Sequence, residues 1–147
     1  MAQGDFTLFE EFSRELGEEI HNLASDTLKL GIIDNNTPPT AADATPRWAD
    51  YVGDEVTDAG GYTANGITLT GVTWTEAAGV STLDDTGNIA LSQDGSGFTD
   101  AYWGILFNDT AAADQAIGFL ELGGAVSEQA GPVNINWGAS GIFTISD

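Results

Sequence analysis

The chain has no cysteine, one histidine (His21) and only three basic residues, Arg14, Lys29 and Arg47. Without cysteine there is no disulfide framework, no thiol nucleophile and no thiolate metal site. A single imidazole leaves little material for zinc. Binding to a nucleic-acid backbone needs clustered Lys and Arg, so no direct nucleic-acid binding is expected. An anionic membrane surface would repel the chain, and no apolar run reaches the roughly 20 residues of a membrane-spanning helix. The opening residues, Met1 to Asp5, carry neither a basic nor an apolar stretch, so no secretory signal is expected.

What the chain has in excess is acid. Its 23 Asp and Glu residues give a formal net charge of -20. Such a charge stresses a compact state by self-repulsion, and salt relieves it. Two settings fit, a very salty medium or a polyanionic shell in which repulsion is tolerated, and an acidic protein of ordinary surroundings is the plainer reading. The length of 147 residues is enough for one domain, 1–147, with a real core. Four Trp, three Tyr and seven Phe argue against disorder.

Periodicity organises the chain around Thr27 to Ile33. Leu28, Leu30 and Ile32 alternate with Lys29 and Gly31, the signature of a strand. Upstream, Phe6, Phe9, Phe12, Leu16, Ile20 and Leu23 recur every three or four residues. That spacing predicts an amphipathic helix over 6–24, with Thr7 and Glu10 at capping-box spacing. A loop or arm follows over 34–47, broken by Pro38 and Pro39. A β domain is predicted over 60–147. Its signals are a hairpin at Asn65-Gly66 and short strands at 67–74 (kinked at Gly71), 80–83, 88–92, 98–107, 116–122, 133–137 and 142–145. Turns are expected at 84–87 and at Gly123-Gly124. The fold class is mainly β: an antiparallel β-sandwich or open barrel with an N-terminal amphipathic helix.

Catalytic chemistry finds no foothold in this pattern. His21 has no nucleophile and orienting group beside it in sequence, so a structural role is expected. No cofactor motif is present: Gly95-Ser96-Gly97 is too short for a phosphate loop, and no dinucleotide fingerprint occurs. Oxygen-rich turns offer Asp84, Asp85 and Asn88, and separately Asp94 and Asp100, as weak candidates for a calcium or magnesium ion. Neither turn has EF-hand spacing. Asn35 and Asn108 begin glycosylation sequons. Trp74, Trp103 and Trp137 fall in strands, where core packing is the default and a sugar-stacking face the alternative. The apolar helix face with Phe6, Phe9 and Phe12, and the arm with Asn35, Pro38, Pro39, Arg47 and Trp48, are the interface candidates. Arg and Trp are typical interface anchors.

Several segments in order resemble a pattern found in small virion proteins of tailed phages. They are His21 to Leu30; Gly61-Tyr62-Thr63 with Gly66-Ile67-Thr68-Leu69; Ile105 to Thr110; Ile117-Gly118-Phe119; and Gly141 to Ile145. The likeness spans most of the chain. It implies a non-enzymatic structural protein on the outer capsid surface of the virion, a head decoration or cement protein bridging major capsid subunits. It also implies a homo-oligomer, with a trimer over subunit junctions as one form. The acidity departs from the usual composition and would suit a tailed virus of a haloarchaeal host. A tail or tail-fibre component and a soluble carbohydrate-binding module stand as alternatives.

With 23 acids against three bases, dilution into low salt should loosen the fold. The thermal unfolding midpoint should rise between about 0.1 and 2 M salt. A midpoint that stays flat over that range would count against charge repulsion as a governing term.

Overall fold

The computed structural model describes residues 3–146. Ten strands run in the order β1 (Thr7–Leu8), β2 (Leu28–Ile33), β3 (Ile67–Thr68), β4 (Val72–Ala77), β5 (Val80–Asp85), β6 (Ile89–Leu91), β7 (Ala101–Asn108), β8 (Ala116–Val126), β9 (Val133–Ile135) and β10 (Phe143–Ser146). Two short helices interrupt them, α1 (Phe12–Gly17) and α2 (Trp48–Tyr51), the second continued by a 3-10 turn at Val52–Asp54. The protein is thus mainly β, built from antiparallel sheets, and no sheet closes into a barrel.

The largest sheet has the order β1-β8-β7-β2-β3. Its centre is the pairing of β2 with β7, in which Leu30 faces Leu106 and Gly31 faces Ile105. Side chains alternate across a strand, so the sheet has two faces. Leu28, Leu30, Ile32, Leu106, Leu120 and Leu122 enter the larger core, together with Leu83 of β5, Ile89 and Leu91 of β6, Val133 and Ile135 of β9 and Phe143 of β10. The three-stranded sheet β10-β5-β4 and the β6-β9 pair therefore cover this face. Ile33, Ile105, Phe107, Ala116 and Phe119 form the second face, covered by Phe9, Trp48 and Tyr51.

Trp48 shows how this second face closes. Its ring lies parallel to Phe107, centroids 4.9 Å apart at 4°. It also lies flat on Gly31, where any Cβ would overlap the indole. The glycine that alternates with leucines in β2 is thus the seat of a tryptophan. Trp48 is 4% exposed and belongs to the core; it is not a surface anchor.

The N-terminal helix over 6–24 is corrected to a six-residue helix. Thr7 and Leu8 instead add an edge strand to β8, opposite Phe119 and Gly118. Gly118 has no Cβ, which lets the Phe6 ring and the Thr7 carbonyl approach. The capping box at Thr7 and Glu10 does not form, and Glu11 starts the helix with no side-chain cap. The helix ends at Gly17 with Glu18 as its cap, and the next residue, Glu19, takes a left-handed φ of 62°. The Glu19 amide bonds the Leu16 carbonyl and the Ile20 amide bonds the Glu15 carbonyl, a Schellman ending. Phe9 and Phe12 are each 2% exposed and pack inside the chain, and Phe6 stacks on Phe143. The three- and four-residue spacing recorded burial and not a continuous helix, because turns can bury residues at that spacing too.

The β domain keeps most of its expected strands, with four changes. The Asn65-Gly66 turn forms with φ values of 65° and 89°, but only Ile67–Thr68 is a strand beside it, paired with β2. The residues beyond Gly71 leave that sheet and pair as β4 with β5 through an Ala78-Gly79 turn. Asp84 and Asp85 finish β5 instead of forming a turn. Gly123 and Gly124, both at positive φ, do not reverse the chain. They lie within β8 where its register against β7 shifts, and they bend the strand.

Gly31 gives the sharpest test of this packing. Gly31→Ala should displace Trp48 and cost about 1–3 kcal/mol, lowering the unfolding midpoint by several degrees. Gly53→Ala, where a Cβ meets nothing within 4 Å, is the matched control. Equal melting of the two variants would refute the role of the Trp48 stack.

Candidate functional site

The segment 34–47, expected as a loop or arm, is a strap sewn to the body along both margins. Its first turn is closed by Asp34, whose carboxylate accepts from the Asn36 amide and side chain, each at 2.8 Å. In the middle, the Glu10 amide donates to the Ala41 carbonyl. The Ala116 amide donates to Pro46 and the Trp48 amide to the Asp114 carbonyl. Asp43 ties the strap internally, accepting from the Thr40 amide and hydroxyl and from the Tyr51 hydroxyl at 2.7 Å. Burial alone would push the Asp43 carboxyl up, but these bonds outweigh it and hold the pKa below its ordinary value. Burial, and then the bond to Asp43, push the Tyr51 hydroxyl far upward, so it stays protonated.

The interface candidates divide on this strap. Pro39 is buried, whereas Asn35, Pro38 and Arg47 are exposed. An open groove of about 470 Å³ runs past Thr37, Pro38, Arg47, Asp50 and Tyr51. Asn35 accepts a hydrogen bond from Trp103 Nε1 at 2.9 Å, which fixes the near end of the strap to β7. Arg14 pairs with Glu11 and Glu18, and Lys29 with Asp109. Among the described residues Arg47 is the one Lys or Arg without an ion pair. The groove is thus a surface where a cation stands free on a strongly anionic chain.

A second arrangement lies under the N-terminal turn. His21 is 4% exposed, and its Nε2 lies 3.0 Å from Glu15 Oε2. Its Nδ1 lies 3.1 Å from Asn108 Nδ2. The Asn108 amide is oriented by its oxygen, which accepts from the Thr110 and Ala111 amides, so its nitrogen faces His21 and Asp26. Asn108 therefore donates to Nδ1, and the Nε2 proton is given to Glu15. The ring is neutral. Burial, the largest influence, depresses the His21 pKa, and the bond to Glu15 opposes it only partly. Around this centre the Thr27 amide donates to Thr110 Oγ1 and the Asp109 amide to the Thr27 carbonyl. Every polar side chain of the cluster is engaged by its neighbours, which makes it a structural clasp and leaves Asn108, at 0% exposure, closed to glycosylation.

The candidate cation ligands do not converge as paired in the sequence. Asp84 and Asp85 are successive strand residues, and their side chains leave opposite faces. Asp85 accepts from the Gly71 and Gly87 amides, and Asn88 from the Trp137 amide. Asp94 accepts from Ser96 and Gly60, while Asp100 is exposed. No group of three His, Cys, Asp or Glu side chains placed to hold a metal occurs among the described residues. Trp103 sits on the second face of the large sheet, whereas Trp74 and Trp137 pack against the larger core, so the rings share no platform. No helix among the described residues is long and apolar enough to cross a membrane. Glu15 was not signalled by the sequence, since its partner His21 lies six residues on, a spacing that belongs to no regular element.

Compared with protein-family models, with curated proteins and with solved structures, the chain has no match.

A neutral buried His21 carries a pH signature. Its folded pKa lies below the unfolded value near 6.5, so the unfolded state binds the proton first. The stabilisation is complete above about pH 6.5 and is lost as pH falls below it. Unfolding midpoints taken from about pH 7 to 5 at fixed salt should fall in the native chain and flatten in His21→Gln. Equal slopes would show that the ring is not held neutral.

Proposed function

We propose that this chain is a non-enzymatic virion structural protein, a decoration or cement protein of a tailed virus that attaches to the outer capsid surface and bridges major capsid subunits. The observation that carries the reading is the clasp. The two longest segments of the phage-like pattern, His21 to Leu30 and Ile105 to Thr110, lie about 80 residues apart in sequence and meet through His21, Asp26 and Thr27 on one side and Asn108, Asp109 and Thr110 on the other. Residues that belong to a shared pattern and also build one spatial unit support the resemblance more than scattered matches do.

The rest of the molecule is compatible with that role. The large sheet faces the two smaller ones across the main core, an arrangement we read as sandwich-like. The strap presents Pro38 and Arg47 to a neighbour. Capsid subunits of a salt-loving virus would themselves be acidic, and an unpaired arginine is then a specific handle for a partner carboxylate. Many copies on one lattice act together through avidity, so each contact can be weak. A homo-oligomer, including a trimer over a subunit junction, would add to that effect. A haloarchaeal host accounts for the charge.

The purified protein should bind saturably to assembled shells that lack it, at high salt, and should bind no sugar. Arg47→Glu, at an exposed position, should leave the fold intact and weaken attachment about tenfold or more. Binding to isolated tails and not to shells would move the protein to the tail. Sugar binding without shell binding would overturn the virion reading.

A further inference from the structure

We infer that the chain holds a hard divalent cation of the calcium class between the loops that carry Gly60, Ser92, Asp94 and Glu128. Glu128 is 0% exposed, and neither of its carboxylate oxygens has a hydrogen-bond partner among the described residues. Native proteins seldom leave a buried carboxylate in this condition, because taking its charge out of water is costly. The surrounding groups are otherwise well matched. The Glu128 amide donates to Phe98, its carbonyl accepts from Asp94, and Gln129 Nε2 donates to the Gly97 carbonyl at 2.7 Å. Only the carboxylate is left over.

Two glycines admit the carboxylate to this corner. A Cβ at Gly60 would collide with Glu128 Oε1, and a Cβ at Gly97 would collide with Oε2. The Ser92 carbonyl oxygen faces the same side of Gly60 as Glu128 Oε1, 2.5 Å from where a Cβ would stand. Gly60 also donates its amide to Asp94 Oδ2 at 3.2 Å, which brings the second carboxylate to this corner. The donor set is therefore all oxygen: two carboxylates and a backbone carbonyl, on two loops. Water would complete the shell. That chemistry suits calcium, which accepts mixed carboxylate and carbonyl ligands in irregular geometry, more than magnesium, which demands a tight octahedron. Without an ion, burial first and Asp94 second disfavour the charged form of Glu128. An ion removes both penalties. The site pairs Asp94 with Glu128 instead of Asp100, and it does not depend on the virion reading.

The test is thermal unfolding in about 2 M sodium chloride, which saturates general screening, after treatment with a chelator. Calcium chloride at about a hundred times its dissociation constant should raise the native midpoint by about 5–10 °C. Asp100→Asn should respond like the native chain. Glu128→Gln, which keeps the shape and removes the buried charge, should fold and lose the response. Calorimetric titration of the native protein should give one calcium per chain. No calcium response in the native chain, or an equal response in Glu128→Gln, would overturn the site and leave Glu128 a buried protonated acid. A shift with magnesium chloride alone would overturn the calcium assignment.

Discussion

The constraint on which the rest of the structure depends is that β2 and β7 are buried on both faces. Leu28, Leu30 and Ile32 point one way, and Gly31 and Ile33 the other, and all five are inaccessible. A sheet with two apolar faces must be covered twice. In a βαβ protein helices provide both covers. Here the chain has almost no helix, so other elements serve. The smaller sheets cover one face. The N-terminal segment and the strap cover the other, through Phe9, Trp48 and Tyr51. This explains why a 14-residue segment without periodicity is not free: its far end carries the tryptophan that seals the sheet. It also explains the glycine in the middle of β2, since an indole can lie on a strand only where no Cβ stands in the way.

The polar interior follows a related logic. A chain of charge -20 has acids to spare, and most of them face water, where repulsion is screened. The few that are buried need partners. Glu15 receives its proton donor from His21, whose other nitrogen is satisfied by Asn108, which in turn holds Asp26. One histidine thus closes a chain of hydrogen bonds between the N-terminal turn and the end of β7. A closed network of this kind favours one arrangement over its alternatives, because breaking any bond strands a buried group. Glu128 is the exception that makes the rule informative: it is as deeply enclosed as Glu15, but neither of its carboxylate oxygens has a hydrogen-bond partner among the described residues.

Much of this was legible from residue patterns, and the exceptions share a cause. β2, β6, β7, β8, β9 and β10 fall close to their expected places because alternation and aromatic content report strands directly. The helix over 6–24 was overextended because helical spacing and the spacing of buried residues in successive turns are alike; what ended the helix was a left-handed Glu19, a position where glycine is the usual signal. Gly123-Gly124 read as a reversal because paired glycines permit positive φ in either a turn or a bulge, and only the pairing partner decides. Pairing of β4 with β5, the role of Gly31 and the clasp depend on contacts between distant residues. Glu128 lay in a stretch without periodicity, and a lone glutamate there carries no local mark of burial.

The distribution of positive charge sets a condition on any assembly. Arg14 is consumed by Glu11 and Glu18 on its own helix, and Lys29 by Asp109 beside the clasp. All three pairs are intramolecular and help to offset local repulsion. Two copies brought together, or one copy on another acidic surface, would therefore meet with almost no compensating charge. Salt can shorten the repulsion to a Debye length of about 3 Å at 1 M, but screening alone provides no specificity. Specific attachment then has to come from shape and apolar contact, with a directional charge pair where one is possible. Among the described residues, Arg47 is the one Lys or Arg without an ion pair and so the one placed to form such a pair outward. It stands on a strap held to the body by backbone bonds on either side, so its position is fixed before any partner arrives, and less ordering entropy opposes the contact.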